Sequence, residues 1–452
     1  MKNYKIPFLT ITLFLLFMMS SFSESIPVDT DGNTCNIAIF SDPHYFSTKL
    51  NTDSELFREY LLKDRKLLHL STEITEELIK KISDGAYDLV IIPGDLTKDG
   101  EKEGHSEFVL QLEKLQAAGK KVFVICGNHD INNPSAIRIE GEQVLPVESV
   151  TADEFRQIYH EMGYSQAIAT DSDSLSYVCE PLSWLRIIAM DSCYYDANYE
   201  NGHAYTGGFF SEKTLNWILK MIHEGKEKGQ LVLGFMHHGL VPHLSIQEHY
   251  FPEYLIKDWQ QIAEAFADAG MNLVFTGHFH AQDISQHTSP SGNTLWDVQT
   301  GSLVTYPIPY RSITLSQGGT LTITSHVIQK TDSVPDLHQY AKNFLDQELM
   351  TLLPEKAAEK IVDFGIPESF AQAYVTSLLK TRGGEFTLLE IAVKVVIAFY
   401  AGNEAVSPEL IAAVNELKDN GDNQFLALFG TLAESFLTDT IPQDNNLTIH
   451  LK

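Results

Sequence analysis

Five short apolar runs in the first 280 residues are each followed by polar side chains of the kind that bind metal ions. The runs are Asn36–Phe40, Leu89–Ile92, Val122–Ile125, Leu231–Phe235 and Asn272–Phe275, and their length and composition are typical of buried strands. Amphipathic stretches that predict helices lie between them, which is the alternation of an α/β fold. Ligands in such folds bind beyond the carboxyl ends of the strands, so we expect the residues that follow to meet at one site.

The segments after these runs supply carboxylate, amide and imidazole ligands. They read SDPH, PGD, GNHD, MHHG and TGHFH, and their potential metal ligands are Asp42, His44, Asp95, Asn128, His237, His278 and His280. Such donors suit borderline divalent ions, namely Mn²⁺, Fe²⁺ or Zn²⁺. This set is too large for one ion but suits two ions that share a carboxylate and hold a phosphoryl group between them. The sequence therefore predicts a two-metal site for phosphate esters.

The alternative interpretation of each set is purely structural. A single histidine or aspartate at a strand end is usually a cap or a turn residue, and only five sets in order favour a metal site. Histidines outside the sets are therefore assigned to surface or loop positions: His105, His160, His203, His223, His243 and His249. A glycine precedes Asp95, Asn128 and His278, where a side chain would obstruct close approach of backbone, metal and substrate.

The chain is predicted to have a leader and two folded parts. Residues 1–25 combine two early lysines, an apolar run of about 14 residues and small residues near Ser23, which predicts a signal peptide and export. The α/β pattern and a later meander of short strands extend over residues 33–331. Helical periodicity then extends over residues 337–438, and we interpret residues 337–452 as a small helical domain that packs on the first and has no chemistry of its own.

Charge and cysteine usage limit the partners. The formal net charge of −28 disfavours binding to nucleic acids, and with the leader removed we expect no attachment to a membrane. No cysteine pair has the spacing of a thiolate metal site. Cys126 is expected to be a small buried residue, whereas Cys179 and Cys193 flank a predicted hairpin and could pair in an exported protein.

The order D-x-H, G-D, G-N-H-D, H, G-H-x-H between Asp42 and His280 resembles the calcineurin-like metallophosphoesterase superfamily, and within it the class III cyclic-nucleotide phosphodiesterases. The resemblance implies a four-layer α/β (α+β) sandwich of two mixed β-sheets with helices outside. It also implies a first ion on Asp42, His44 and His280, a second on Asn128, His237 and His278, and Asp95 as the bridge. His129 would face the phosphate, stabilising charge or protonating the leaving oxygen. His238 is expected behind the ligands.

The chain departs from the protein-phosphatase branch of that superfamily in two motifs. Members of the branch have G-D-x-x-D-R-G and an arginine before G-N-H-E, where this chain has GDLTKDG and CGNHD. Lys98 replaces the second aspartate, Asp99 lies one place later, and Cys126 stands at the arginine position. We therefore expect both the phosphate-clamping arginines and the His–Asp dyad to be missing, which disfavours a phosphoprotein substrate.

The resulting hypothesis is an exported phosphodiesterase that cleaves phosphate diesters with a metal-bridging water, with cyclic nucleotides as the best-matched small-molecule substrates. Four loop aromatics either stack on a base or simply pack: Tyr194, Tyr195, Tyr205 and Tyr250. Two alternatives stay open, a phosphomonoesterase or extracellular nucleotidase on the same metals, and a non-catalytic binding protein of the same fold.

Overall fold

The computed structural model describes residues 33–51, 54–363, 365–402, 406–438 and 443–451. The predicted signal peptide, residues 1–25, lies outside the described residues. By its contacts the chain separates into Met1–Asn33 and Thr34–Lys452, and every element below belongs to the second unit. Among the described helices, none is both long and apolar enough to cross a bilayer.

The strands lie close to the predicted positions. In chain order they are β1 (Thr34–Ile39), β2 (Leu89–Ile92), β3 (Lys121–Val124), β4 (Ile137–Glu140), β5 (Gln143–Pro146), β6 (Ala169–Thr170), β7 (Tyr177–Leu182), β8 (Leu185–Met190), β9 (Leu231–Met236), β10 (Leu273–Thr276), β11 (Asp283–Thr288), β12 (Thr294–Gln299), β13 (Pro309–Ser316), β14 (Thr320–Val327), β15 (Arg382–Gly383), β16 (Phe386–Thr387) and β17 (Asn446–His450). Every predicted strand is present, with ends shifted by at most four residues. Several strands are longer than predicted because their hydrogen-bonded ladders include polar residues, which the apolar pattern does not identify.

The α-helices alternate with the strands as expected. They are α1 (Glu55–Leu61), α2 (Ser71–Asp84), α3 (Lys102–Ala117), α4 (Ala152–Ile158), α5 (Asn198–Asn201), α6 (Glu212–Glu227), α7 (Gln247–Tyr250), α8 (Trp259–Ala269), α9 (Leu337–Asp363), α10 (Glu368–Leu379), α11 (Leu388–Tyr400), α12 (Pro408–Lys418) and α13 (Gln424–Ser435). The helical stretch predicted between the first two strands is interrupted after Leu61, and the loop that follows carries three cations, Lys63, Arg65 and Lys66.

Two mixed sheets form the centre of the fold. The first has the order β17-β14-β13-β1-β2-β3, with β1, β2 and β3 parallel. The second has the order β11-β12-β10-β9-β8-β7-β6, with β8, β9, β10 and β12 parallel. One apolar cluster contains Ile91 of the first sheet and Phe275 of the second, so the sheets pack face to face. Ile218 of α6 and Phe266 of α8 pack with Val232 on the outer face of the second sheet.

Helices cover the first sheet as well, which completes the four-layer sandwich. Ile74 of α2 and Phe108 of α3 belong to the same apolar cluster as the first sheet. Ala38 and its neighbours Ile37 and Ile39 in β1 are all fully buried, because parallel strands between two layers are covered on both faces. The parallel strands β1, β2 and β3 therefore end at one edge, and β9 and β10 end at the corresponding edge of the second sheet.

The domain predicted at residues 337–452 is helical over most of its length but ends in a strand. Asn446–His450 forms β17, which pairs antiparallel with β14 and places Ile449 opposite Leu321. Ile449 is buried while its neighbours in the strand are more exposed, so the five residues alternate as an edge strand does. A run this short carries too weak a pattern to be recognised alone, and its partner strand lies more than 100 residues earlier.

Candidate metal centre

All seven predicted ligands and His129 come together at the carboxyl ends of the parallel strands. Asp42 and His44 follow β1, Asp95 follows β2, Asn128 follows β3, and the three ligand histidines follow β9 and β10. Each of the seven side chains is buried. Six of them form two clusters within which candidate ligand atoms lie within 4.8 Å of one another: Asp42, His44, Asp95 and His280, and Asp95, His237 and His278. Asp95 belongs to both.

The first cluster presents imidazole nitrogens and carboxylate oxygens to one point. The Nε2 atoms of His44 and His280 are 3.1 Å apart. Asp95 Oδ2 is 3.5 Å from His44 Nε2, and Asp42 Oδ1 is 3.3 Å from His280 Nε2. The Nδ1 atoms of His44 and His280 are buried without a hydrogen-bond partner, so neither ring is held by a structural network of its own. Two nitrogens and two carboxylates converging in this way fit a divalent cation.

The second cluster is ordered by a backbone contact. His237 Nδ1 donates to the carbonyl oxygen of Pro93 at 2.9 Å, which fixes the tautomer and turns Nε2 toward the centre. That Nε2 lies 3.3 Å from Asp95 Oδ2 and 3.0 Å from Asn128 Oδ1. The His278 ring is 4.6 Å from the His237 ring. Asn128 therefore joins the second cluster, as the resemblance implied.

The neighbouring His238 has a different environment. Its Nδ1 is 2.8 Å from Ser192 Oγ, and its Nε2 donates to the carbonyl oxygen of Thr206 at 2.9 Å. Its ring packs against that of His278, with 4.5 Å between centroids. Because both nitrogens are engaged away from the clusters, His238 supports a ligand from behind, and His237 is the member of the pair that faces Asp95.

The backbone at the site is unusual. Five of the candidate ligands have a left-handed backbone: φ is 49° at Asp42, 37° at His44, 49° at Asp95, 69° at His278 and 63° at His280. Such conformations cost about 1–3 kcal/mol each for residues other than glycine and concentrate at functional sites. The surrounding structure holds these backbone conformations in place, and all five side chains are buried at the turns after the strands.

The glycines that precede three ligands are needed for space, as predicted. A Cβ at Gly127 would collide with Asp95, and one at Gly277 would collide with Ser41 and Asp42. A Cβ at Gly94 would lie 2.7 Å from His237 Nδ1. The two clusters can share Asp95 only because the loops approach one another without side chains at these points.

The charges at the site follow from burial and mutual contact. Burial by itself raises the pKa of Asp95, but His237, His129 and His44 outweigh it and hold that pKa well below its ordinary value. Burial lowers the pKa of His44 and of His278 well below 6.5, which keeps both rings neutral, the form that binds metals. For His237, burial lowers the pKa but Asp95 raises it to about 10, so a bound cation has to displace that proton.

His129 stands at the opening of the site and has a carboxylate partner. Its Nδ1 is 2.8 Å from Asp99 Oδ1, and its backbone N–H donates to Asp95 Oδ1 at 2.9 Å. The side chain is 28% exposed, unlike the buried ligands. Burial lowers its pKa, but Asp95 and Asp99 together raise it above 6.5. His129 therefore favours the protonated form, which can donate a proton.

The prediction that the His–Asp dyad is missing is wrong. Asp99 supplies the carboxylate from one position later in the motif, with its Oδ1 2.8 Å from His129 Nδ1. Lys98 is buried, pairs with Asp99, and lies 3.8 Å from Glu101 Oε1. Asn133 Nδ2 donates to Asp99 Oδ1 at 3.2 Å. Matching the motif position by position missed this pair because Asp99 lies one residue later than the aspartate of the protein-phosphatase branch.

Two histidines that were assigned to surface or loop positions are buried: His105 lies in α3, contrary to that prediction, and His243 lies in the loop after β9. His105 contacts Tyr159 Oη at 2.8 Å through Nδ1, and burial lowers its pKa to about 4. His243 lies between Asp283 and Asp297, at 2.6 Å from Nδ1 and 3.4 Å from Nε2 respectively. The residues that contact these two histidines are distant in the sequence, so the burial of the histidines could not be inferred from the residues next to them. The others in that group are exposed as predicted: His160, His203, His223 and His249.

One residue that the sequence analysis missed holds two site loops together. Asp130, fully buried, accepts from the backbone N–H groups of Leu96 at 3.1 Å, Thr97 at 3.0 Å and Gly127 at 2.7 Å. These contacts join the loop of Asp95 to the loop of Asn128. Its position directly after GNH was visible in the sequence, but its partners depend on how the two loops meet.

The cysteines and loop aromatics are placed as follows. All four cysteines, which lie in described segments, have free thiols, so the disulfide considered between Cys179 and Cys193 is not formed. The buried Cys126 thiol donates to Asp191 Oδ1 at 3.3 Å. Tyr195 Oη donates to the same carboxylate at 2.9 Å, so this tyrosine has a structural contact within the protein. Three loop tyrosines remain partly exposed: Tyr194, Tyr205 and Tyr250.

Two facing mixed sheets place one carboxylate between two clusters of metal ligands. This arrangement is typical of a class of hydrolases, the metal-dependent phosphoesterases. The chain belongs to one family of that class. The model of the calcineurin-like phosphoesterase family matches residues 35–282, more than half of the chain. Comparison with curated protein sequences finds no match.

Solved structures of low sequence identity are also similar. A dimetal phosphatase from Danio rerio is 14% identical, with a TM-score of 0.46 over 64% of this chain and 95% of that one. A purple acid phosphatase from yellow lupin seeds is 12% identical, with a TM-score of 0.36 over 67% of this chain and 53% of that one. A Haemophilus influenzae NAD nucleotidase is 12% identical, with a TM-score of 0.35 over 78% and 62%.

Proposed function

We propose that the protein is an exported, two-metal phosphodiesterase that hydrolyses phosphate diesters, with cyclic nucleotides as its substrate class. The observation that carries the proposal is the position of Asp95, which contributes to both ligand clusters while its other oxygen accepts the backbone N–H of His129. One carboxylate thus connects the two candidate ion sites to the candidate proton donor.

Each residue has a role in this proposal. Asp42, His44 and His280 would hold the first ion and Asn128, His237 and His278 the second, with Asp95 between them. Two bound divalent ions would neutralise the phosphoryl oxygens and lower the pKa of an attacking water.

His129 would act on the departing alcohol. Asp99 holds the ring through Nδ1, which leaves Nε2 free to give its proton to the leaving oxygen. Burial lowers the pKa of His129, but Asp95 and Asp99 outweigh it and raise the pKa above its ordinary value, which increases the protonated fraction of the ring. Burial of the ligands keeps bulk water from this centre, where electrostatic stabilisation is strongest.

Two sequence features support a diester over a phosphoprotein or a monoester. The motif string resembles that of cyclic-nucleotide phosphodiesterases, and neither Asp95 nor Asn128 is accompanied by the arginines that clamp the dianionic phosphate in the protein-phosphatase branch. The phosphate of a diester carries less negative charge than that of a monoester, so it has less need of such arginines. The predicted signal peptide supports export.

The test is hydrolysis by the chain from residue 26, with Mn²⁺ added or chelated. The substrates are 3′,5′- and 2′,3′-cyclic AMP, bis-p-nitrophenyl phosphate and p-nitrophenyl phosphate. Asn128→Ala removes one candidate ligand, and Asn343→Ala, on the exposed face of α9, is the matched control. We expect metal-dependent diester cleavage that is lost only in Asn128→Ala.

Other outcomes have definite meanings. Faster turnover of the monoester would replace the proposal with a nucleotidase or phosphomonoesterase on the same centre. Metal binding without turnover of any substrate would favour a non-catalytic binding protein. Export is tested separately by mass analysis of the N-terminus of the full chain after expression in a bacterial host: an uncleaved N-terminus would contradict it.

A further inference from the structure

A cavity of about 320 Å³ lies between the metal-site loops and the C-terminal helices. Phe251, Tyr254 and Phe279 line it on the side of the metal centre, and α9, α11 and α13 line it on the other. Its size is within the range of small-molecule sites, whereas protein interiors have few voids larger than a water molecule.

Aromatic side chains form much of the wall of this cavity. Seven of its fifteen lining side chains are aromatic, and apart from Arg65 the others are aliphatic, so the wall is a ring-binding surface. Phe279 meets Phe399 edge to face with 5.5 Å between centroids, and Phe399 meets Phe436 in the same way at 5.5 Å.

Two of the lining residues also belong to the surroundings of the metal ligands. The Tyr254 ring packs on the His278 ring at 4.8 Å and on the Phe279 ring at 4.7 Å. Phe279 itself stands between His278 and His280 in the chain. The cavity therefore shares Tyr254 and Phe279 with the immediate surroundings of the metal ligands.

The cation on the wall is Arg65, from the loop after α1. Its Cζ lies 5.9 Å from the centre of the Tyr400 ring, and Tyr400 and Tyr254 raise its pKa further above the ordinary value. A guanidinium in this position can stack on a flat ring or donate to a polar atom at the ring edge.

We propose that this cavity binds a flat aromatic ring carried by the alcohol of the substrate while the phosphoester lies at the metal centre. The inference rests on the proposed function and names the substrate class of that site. Stacking on aromatic walls favours a ring over an alkyl chain, and each stacked base contributes enough for about a five- to hundredfold change in affinity. The C-terminal helices would then complete the substrate site.

The test fills the cavity without touching the metal ligands. Leu432→Trp on α13 and Ala392→Phe on α11 place a new ring in the cavity, and Leu428→Trp, an exposed position on α13, is the matched control. Circular dichroism and metal content establish that each variant is folded and loaded.

The substrates separate the two sources of a ring. They are 2′,3′-cyclic AMP, the same cyclic phosphate on a methyl riboside without a base, and bis-p-nitrophenyl phosphate. We expect the KM for cyclic AMP to rise about tenfold in both filled variants, with kcat unchanged, and the base-free analogue and the control to be unaffected. A parallel rise for bis-p-nitrophenyl phosphate would show that any aryl ring is accepted, and its absence would restrict the site to nucleobases.

The inference and the proposed function fail in different ways. If cyclic AMP and its base-free analogue have equal KM values, or the filled variants match Leu428→Trp, the cavity does not bind a ring and the inference is overturned while the phosphodiesterase stands. If nothing is hydrolysed, calorimetric binding of 2-naphthyl phosphate decides: binding that Ala392→Phe abolishes supports the cavity, and equal or absent binding overturns it.

Discussion

The buried ion pair of His243 allows a prediction with a worked magnitude. His243, fully buried, lies 2.6 Å from Asp283 and 3.4 Å from Asp297, and Asp297 also accepts from the backbone N–H of Val241 at 2.9 Å. The cluster therefore ties the loop after His237 to β11 and β12. Burial lowers the pKa of His243, but the two carboxylates raise it from 6.5 to about 10.

A pKa that is higher in the folded state makes stability fall as pH rises. The folded protein keeps a proton on His243 that the unfolded chain releases above pH 6.5, so the contribution is complete below 6.5 and lost as pH passes about 10. The slope is about −1.4 kcal/mol per pH unit between these values, or about 5 kcal/mol over the whole window. Independently, removing one partner of a buried pair costs about 3–5 kcal/mol.

The assay is urea unfolding of wild type and His243→Gln from pH 6.5 to 9.5 at fixed metal concentration. We expect the free energy of unfolding to differ by about 3–5 kcal/mol at pH 6.5 and the difference to shrink by about 1.4 kcal/mol for each pH unit. His249→Gln, an exposed histidine of the same region, is the control and should follow wild type. A difference between wild type and His243→Gln that is constant with pH would refute a charged His243.

Three further outcomes are expected. Asp99→Asn should lower kcat about a hundredfold or more at unchanged metal content, because His129 loses its anionic partner; steady-state kinetics with metal analysis measure this, and an unchanged kcat would remove the dyad from the mechanism. Gly277→Ala should lower the metal content because its Cβ would collide with Ser41 and Asp42, whereas Gly421→Ala, with open space around it, should bind metal normally. Mn²⁺ at a hundredfold excess over its dissociation constant should stabilise wild type by about 2.7 kcal/mol, seen as a higher Tm, and Asp95→Asn should lose most of that gain.

The strands and the candidate ligands could be predicted because both depend on local sequence. A buried parallel strand needs a short apolar run, and its carboxyl end must lie at the same edge as those of its neighbours. Asp42, Asp95 and Asn128 were therefore identifiable as partners without any knowledge of distances. The glycines before the ligands were equally readable, since close approach of two loops excludes a Cβ.

Features that depend on pairing between distant segments could not be predicted. Asp99 contacts His129 from a different loop, and β11 and β12 each bring an aspartate to the buried His243. Strand β17 and the aromatic cavity depend in the same way on where the C-terminal segment packs. The sequence determined which residues can bind metals and at which end of the sheet they lie. Only the tertiary structure decided which carboxylate holds His129 and what surrounds the site, because side-chain partners are fixed by loop paths and packing and not by periodicity.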